Sequence, residues 1–253
     1  MKKTLVALMA MAGFASAADL VAEWNGFTSL VSGDYSFVIS GSTTVDANGI
    51  LNVVGASNGS AYVNIAAAGL TFDEGFTLNM LVNNVGGYGS NAPFAFVGLR
   101  GDTTEFLATA GITSDSKGKF CLNGGASKIT TNIPTDNNSI EAVKDTSTFS
   151  AITLTFTDVN FKMYLNGELV ATGTPNSGQM TTNMAAETIT KIALGSWAGA
   201  SGSSTLKEHV ASFAIYDGAM TADEVKAMVV PEPATATLSL LALAGLAARR
   251  RRK

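Results

Sequence analysis

Apolar and polar residues alternate along the centre of this chain, and that two-residue period decides most of what it can fold into. Phe76, Leu78, Met80 and Val82 fall on one face of an extended segment, with Thr77, Asn79 and Leu81 on the other. The period returns at Ile152, Leu154 and Phe156, at Phe161, Met163 and Leu165, and at Ala211, Phe213 and Ile215, with Gly, Asn, Asp and Ser in the gaps. Asn166-Gly167 lies between Phe161–Leu165 and Glu168–Ala171; both residues tolerate positive φ, so a two-residue hairpin is expected there. Many short strands with glycine-rich turns predict an all-β fold of two packed antiparallel sheets, a β-sandwich. Helical signals wait until Thr221, where Thr221 and Glu224 form a capping box ahead of Val225, Met228 and Val229 on one helical face. This short helix is expected to close the domain against a sheet edge.

The two ends of the chain follow different rules. Residues 1–17 read as a signal peptide: Lys2 and Lys3 give the positive region, Leu5 to Phe14 the apolar region, and Ala15-Ser16-Ala17 the small-residue site at which signal peptidase would cut after Ala17. At the other end, Pro231-Glu232-Pro233 precedes an uncharged stretch from Ala234 to Ala248, then Arg249, Arg250, Arg251, Arg252 and Lys253. As a helix that stretch would span only about 22 Å against a hydrocarbon core of about 30 Å, a marginal and transient anchor with its arginines on the cytoplasmic side. The two prolines deny the backbone ladder and helix hydrogen bonds, leaving an extended strip for a processing enzyme. The order of proline motif, apolar helix and arginine cluster resembles the PEP-CTERM sorting signal. That resemblance implies processing by an exosortase-type membrane enzyme and delivery to the cell surface or extracellular matrix.

The expected organisation is therefore a signal peptide (1–17), one domain (18–229) and a sorting signal with a separate apolar tail helix (230–253). Of 16 basic residues, seven lie in the two ends and nine between them, against 19 acidic residues, so the domain carries about −10. That charge repels phosphate backbones and argues against nucleic acid as a partner. Cys121 stands alone, which rules out an internal disulfide, and the single His209 cannot supply a multi-histidine zinc site.

Phe161-Lys162-Met163-Tyr164-Leu165-Asn166-Gly167-Glu168-Leu169-Val170 resembles the Tyr-x-Asn-Gly hairpin of LamG-like domains, members of the concanavalin A-like lectin/glucanase jelly rolls. Lys191-Ile192-Ala193-Leu194-Gly195 and the run Val210 to Val225 resemble that family's later strands and closing helix, with Leu20 to Trp24 as a first strand. The resemblance implies a jelly-roll sandwich. It does not imply one function, because the fold hosts lectins, glycosidases, adhesion modules and spacers. Laminarinase-like relatives carry a Glu-x-Asp-x-x-Glu strand that sets two carboxylates about 5–5.5 Å apart in retaining enzymes. This chain has no such spacing; Asp73-Glu74 and Asp223-Glu224 are adjacent in sequence.

The expectation is thus a non-catalytic binding or adhesion module for carbohydrate or matrix. The alternatives are a structural matrix protein without a specific ligand and a glycoside hydrolase with an unrecognised acid pair. Sugar sites need an aromatic platform among polar groups, which makes Trp197, in its glycine- and serine-rich surroundings, and Tyr88, between Gly87 and Gly89, the candidate ligand contacts. Many LamG-like domains hold Ca2+, and Asp102, Asp115, Asp136 and Asp145 offer oxygen ligands, though in no recognisable spacing.

Overall fold

A computed structural model describes residues 18–54, 59–86, 94–103, 108–112, 120–124, 142–173, 185–195 and 207–229. The Asn-Gly turn behaves as its chemistry requires: Asn166 and Gly167 have φ of 50° and 84°. Leu165 then pairs with Glu168, and a bulge between Met163 and Tyr164 accentuates the twist.

In chain order the strands are β1 (Asp19–Asn25), β2 (Val31–Ser32), β3 (Tyr35–Gly41), β4 (Thr44–Val45), β5 (Leu51–Val53), β6 (Gly59–Asn64), β7 (Phe76–Gly86) and β8 (Phe94–Gly101). They continue with β9 (Ala108–Ile112), β10 (Phe120–Gly124), β11 (Ser150–Phe156), β12 (Phe161–Leu165), β13 (Glu168–Gly173), β14 (Ile189–Leu194) and β15 (Lys207–Asp217). Eight form one sheet in the order β13-β12-β11-β7-β15-β5-β4, with β1 also paired to β15; seven form the other, β10-β9-β8-β14-β6-β3-β2. Every pairing is antiparallel. The expected sandwich of two antiparallel sheets with a short C-terminal helix is what the chain forms.

Cross-strand register explains why the core is continuous. In the eight-stranded sheet Trp24, Phe213, Met80, Ile152 and Leu165 occupy successive registered positions, and all are buried. Facing them, Phe37, Val63, Ile192, Leu99 and Ala108 make the equivalent buried row of the seven-stranded sheet. Two aromatic clusters fill the core, and the first joins the layers. Trp24 meets Phe37 edge-on at 4.7 Å and stacks on Phe213 at 6.1 Å, while Phe72, Phe76, Phe156 and Phe161 contact one another at 5.0–6.1 Å.

The capping box is formed as predicted. The Thr221 backbone N–H donates to Glu224 Oε2 at 2.7 Å, and the Glu224 N–H donates to Thr221 Oγ1 at 3.3 Å. The helix it starts, Ala222–Val229, reaches the β12–β13 hairpin at the sheet edge through Lys226 and extends over the neighbouring face. Val225 and Met228 join Ala18, Met220, Tyr164 and Tyr216 in a second apolar cluster on the outer face of the eight-stranded sheet. The polar outer face of β7 accounts for this: Thr77 Oγ1 accepts from the Met220 N–H at 2.9 Å and donates to the Gly218 carbonyl at 2.9 Å, drawing the segment before the helix across the sheet. Gly167 completes the seat, because a Cβ there would lie 3.4 Å from Lys226 Cα. Thr221→Ala, which removes the cap, is expected to cost about 1 kcal/mol, seen as a fall of roughly 2–4 °C in the thermal midpoint.

Candidate functional site

The outer faces of the two sheets are dressed differently. On the eight-stranded sheet the C-terminal helix covers Tyr164, and Thr77, Thr153 and Thr155 are buried. On the seven-stranded sheet the strands hold two charged residues only, Arg100 and Lys191, both cationic, and no Asp or Glu.

Register brings these two together. Lys191 lies opposite Arg100 on β8 and opposite Asn64 on β6, and the next outward row runs Val38, Tyr62, Ala193 and Gly98. Strand alternation sets the direction: Ala61 and Val63 point into the core at 0% exposure, so Tyr62 between them turns outward and is half-buried. The Lys191 ammonium, diagonal to Tyr62 across the strand pair, sits 4.4 Å from the ring centroid as a cation-π contact. Thr190 Oγ1 donates to the carbonyls of Arg100 (3.3 Å) and Gly101 (2.8 Å), which pins β8 at the local bulge that sets this register. Ala193 and Gly98, its neighbours in this row on β14 and β8, are buried, so Val38 and Tyr62 are the parts of the row that reach solvent.

Three of the described acidic residues near strand ends and turns make local contacts. Glu187 is buried just before β14, where its Oε1 accepts from the Thr103 N–H at 2.9 Å and from the Thr103 hydroxyl, tying the end of β8 to the start of β14. Asp145 accepts from the Ser147 N–H at 2.8 Å, the Ser147 hydroxyl and the Thr148 hydroxyl, and these hydrogen bonds hold its carboxyl below the usual range. Asp102 accepts from the Thr103 N–H at 3.1 Å. These contacts account for Asp145 and Asp102 as turn residues. Among the described residues no three His, Cys, Asp or Glu side chains cluster in a way that could hold a metal ion.

Glu208 is the exception among the carboxylates. It points inward from β15 at 0% exposure, and neither oxygen has a hydrogen-bond partner. Burial pushes its carboxyl well above the ordinary glutamate range; the nearby Gly195 N–H offsets part of that rise without reaching hydrogen-bonding geometry. His209, the next residue, instead contacts Asn84 Nδ2 at 3.0 Å through Nε2.

Trp197 and Tyr88, the aromatic candidates from the sequence, lie outside the described residues, as do Asp115 and Asp136. So do Ala17, Pro231, Glu232, Pro233 and Arg249 to Arg252 with the apolar tail helix; among the described residues no helix is long and apolar enough to cross a membrane. Sequence reading missed Tyr62 and Arg100 and took Lys191 only as part of a strand. The alternation Ala61-Tyr62-Val63-Asn64 was the available signal for Tyr62; nothing local indicated that Lys191 and Arg100 would face each other.

Comparison with known proteins places these features in context. The profile of the concanavalin A-like lectin/glucanases superfamily (Laminin_G_3) matches residues 57–226, and that of the PEP-CTERM protein-sorting motif matches residues 229–253. No curated relative matches in sequence. Among solved structures, domain 4 of AbnA, a GH43 extracellular arabinanase from Geobacillus stearothermophilus, in complex with arabinotriose, is similar with a TM-score of 0.53. It is 16% identical over 84% of this chain and 99% of that one. The binding domain of botulinum neurotoxin DC is similar in its complexes with rat synaptotagmin II (TM-score 0.56, 13% identity) and with SialylT (0.57, 14%), over 85% and 84% of this chain. The chain spans about half the length of those toxin domains, 51% and 50%. At such identities the likeness carries the fold alone. The chain belongs to the concanavalin A-like lectin/glucanases superfamily and ends in a PEP-CTERM sorting motif.

Proposed function

We propose that this protein is an exported, surface-sorted module without catalytic activity that binds glycan through the outer face of its seven-stranded sheet. The observation that carries this reading is Tyr62, an outward, half-buried aromatic ring beside the polar ends of Lys191 and Asn64, on a sheet whose strands carry no carboxylate. Glycoside cleavage by the usual route needs two carboxyl groups across the scissile bond, and strands that supply none suit holding a sugar rather than cutting it. The fold relatives support the binding reading: one was solved with arabinotriose and another with SialylT. Trp197 and Tyr88 belong to the same proposal as further aromatic contacts.

Delivery is the second half of the reading. Signal peptidase releases the domain after Ala17, the apolar tail holds it briefly at the inner membrane, and an exosortase-type enzyme processes it near Pro231-Glu232-Pro233. The matured domain then resides on the outer surface or in the extracellular matrix.

Affinity electrophoresis of the exported protein in gels containing neutral and acidic polysaccharides tests the binding half. Retardation by at least one polymer, reduced in Tyr62→Ala, is expected; unretarded migration across the whole panel would favour a structural matrix role. Intact-mass measurement of the surface fraction tests the delivery half, with loss of Arg249 to Lys253 expected and their retention pointing to a persistent anchor.

A further inference from the structure

We infer that the outer face of the eight-stranded sheet, beside the closing helix, is the surface this protein lays against the membrane while its tail is anchored, so that the Tyr62 face of the other sheet is turned away from the lipid. The inference rests on the delivery half of the reading above and adds to it the orientation in which the domain is held.

Both ends of the folded domain meet on that one face. Ala18, the first residue after the signal-peptide cut, is buried in the same apolar cluster as Tyr164, Met220 and Val225, with Met228 packed against it. At the other end the last turn of the helix is held over the β12–β13 hairpin. A Cβ on Gly167 would lie 3.4 Å from Lys226 Cα and 3.8 Å from Val229 Cβ, and Lys226 Nζ stands 3.8 Å from Glu168 Oε1. The signal peptide and the sorting tail, the two membrane-seeking segments of the chain, are therefore both joined to the domain from the outer side of the eight-stranded sheet.

The tether is short. Five peptide steps lead from Val229 to Ala234, where the uncharged stretch begins, and even fully extended they reach only about 17 Å. The far face of the sandwich lies beyond both layers, which pack about 10 Å apart, and a route to it from Val229 has to pass round a sheet edge. A leash of that reach keeps the helix side next to the lipid at high effective concentration and leaves the Tyr62 side out of contact.

The helix-bearing face has side chains suited to such a contact. Leu20 pairs with Tyr216 and Leu169 with Tyr164, so both lie in outward rows that the helix cluster shares, one on each flank, and they are 55% and 41% exposed. Large aliphatic side chains left in water beside a buried apolar cluster gain by moving into the apolar boundary of a bilayer. The domain's charge of about −10 gives no attraction to anionic headgroups, so the contact is apolar and depends on the tether.

The test uses the protein with its tail intact, produced in a host that lacks a processing enzyme and reconstituted into phosphatidylcholine vesicles whose headgroups carry a nitroxide quencher. In a Cys121→Ser background, Leu169→Cys and Val38→Cys each carry one fluorophore; the two positions are matched in exposure, 41% and 38%, and lie on opposite outer faces. The Leu169 probe is expected to be quenched at least about threefold more strongly than the Val38 probe, because the two layers hold the latter more than about 10 Å farther from the headgroups. Leu20→Cys supplies a second probe on the helix-bearing face and should follow Leu169. Iodide added to the solution should give the reverse order. Equal or stronger lipid quenching at Val38, with the protein still floating with the vesicles, would overturn the orientation and leave the anchor reading standing. Failure to float with the vesicles at all would remove the anchor reading and the inference together. Thermal midpoints equal to that of the parent establish that the labelled proteins are folded.

Discussion

Trp24→Ala is expected to lower the thermal midpoint of the folded domain by about 10 °C or more. Trp24 is 2% exposed and lies where the two layers meet, edge-on to Phe37 of the seven-stranded sheet and stacked on Phe213 of its own. Phe37 touches Phe27 and Phe213 in turn, so the cavity left by the indole would open onto three rings that cannot collapse into it together. Truncations of this kind cost about 3–5 kcal/mol, and 1 kcal/mol moves the midpoint of a domain this size by roughly 2–4 °C. The indole N–H also donates to the Leu30 carbonyl at 2.9 Å, which fixes the connection between β1 and β2. Trp24→Phe keeps most of the ring volume but removes that donor, and is expected to cost less than half as much. Calorimetry on the three proteins measures both quantities; an alanine variant that melts with the parent would show that this aromatic junction does not hold the sheets together.

The features that were legible in the sequence are those whose cause is local. Asn166-Gly167 announces a hairpin because those two residues accept positive φ, and Thr221 with Glu224 announces a helix start because the reciprocal bonds need only a spacing of three. Phe76 to Val82 announces a strand by alternation, although β7 runs on to Gly86 through Asn84, which takes φ of 50°. The resting place of the helix was not local. It depends on Thr77, far from Thr221 in sequence, offering both a donor and an acceptor on the outer face.

The candidate site was illegible for a related reason. Lys191 and Arg100 meet only because β14 inserts between β8 and β6, a choice made by the topology of the whole sheet. In sequence each is a single charge in an apolar segment, Arg100 after Phe94 to Leu99 and Lys191 ahead of Ile192 to Leu194. Aromatic residues with glycine neighbours, Trp197 and Tyr88, stood out by composition, whereas Tyr62 was hidden inside an ordinary alternating strand. Glu208 was hidden in another way. Between Lys207 and His209 it reads as part of a solvated charged run, yet it lies opposite buried Val53 and two residues before buried Val210, so strand alternation turns it inward while His209 contacts Asn84.

That buried carboxyl gives the second large effect: Glu208→Met is expected to raise the thermal midpoint, and more so as the pH is increased. Among the described residues its neighbours contribute no titratable group, being Leu51 to Val53 of β5, Asn83 to Gly86 of β7 and Gly195 after β14. Lys207 is exposed and His209 lies on the opposite face, so neither neutralises it. Burial raises its pKa in the folded state, which means that the folded protein holds this proton more tightly than the unfolded chain does. The contribution to stability is therefore greatest below the unfolded-state value, falls as pH rises through the interval between the two values, and levels off above the folded one. Methionine fills similar volume with no polar oxygen, and removing an unsatisfied buried polar group is worth about 1–3 kcal/mol, or roughly 2–12 °C at the midpoint. Glu208→Gln should remove the pH slope while recovering less stability, because an amide leaves polar atoms unpaired in the same place. Melts of the three proteins from mildly acidic to mildly alkaline pH separate these effects. A parent curve parallel to that of Glu208→Gln across the range would mean that the carboxyl titrates as though it were in water, and that the end of the sandwich beside Gly195 is open to solvent.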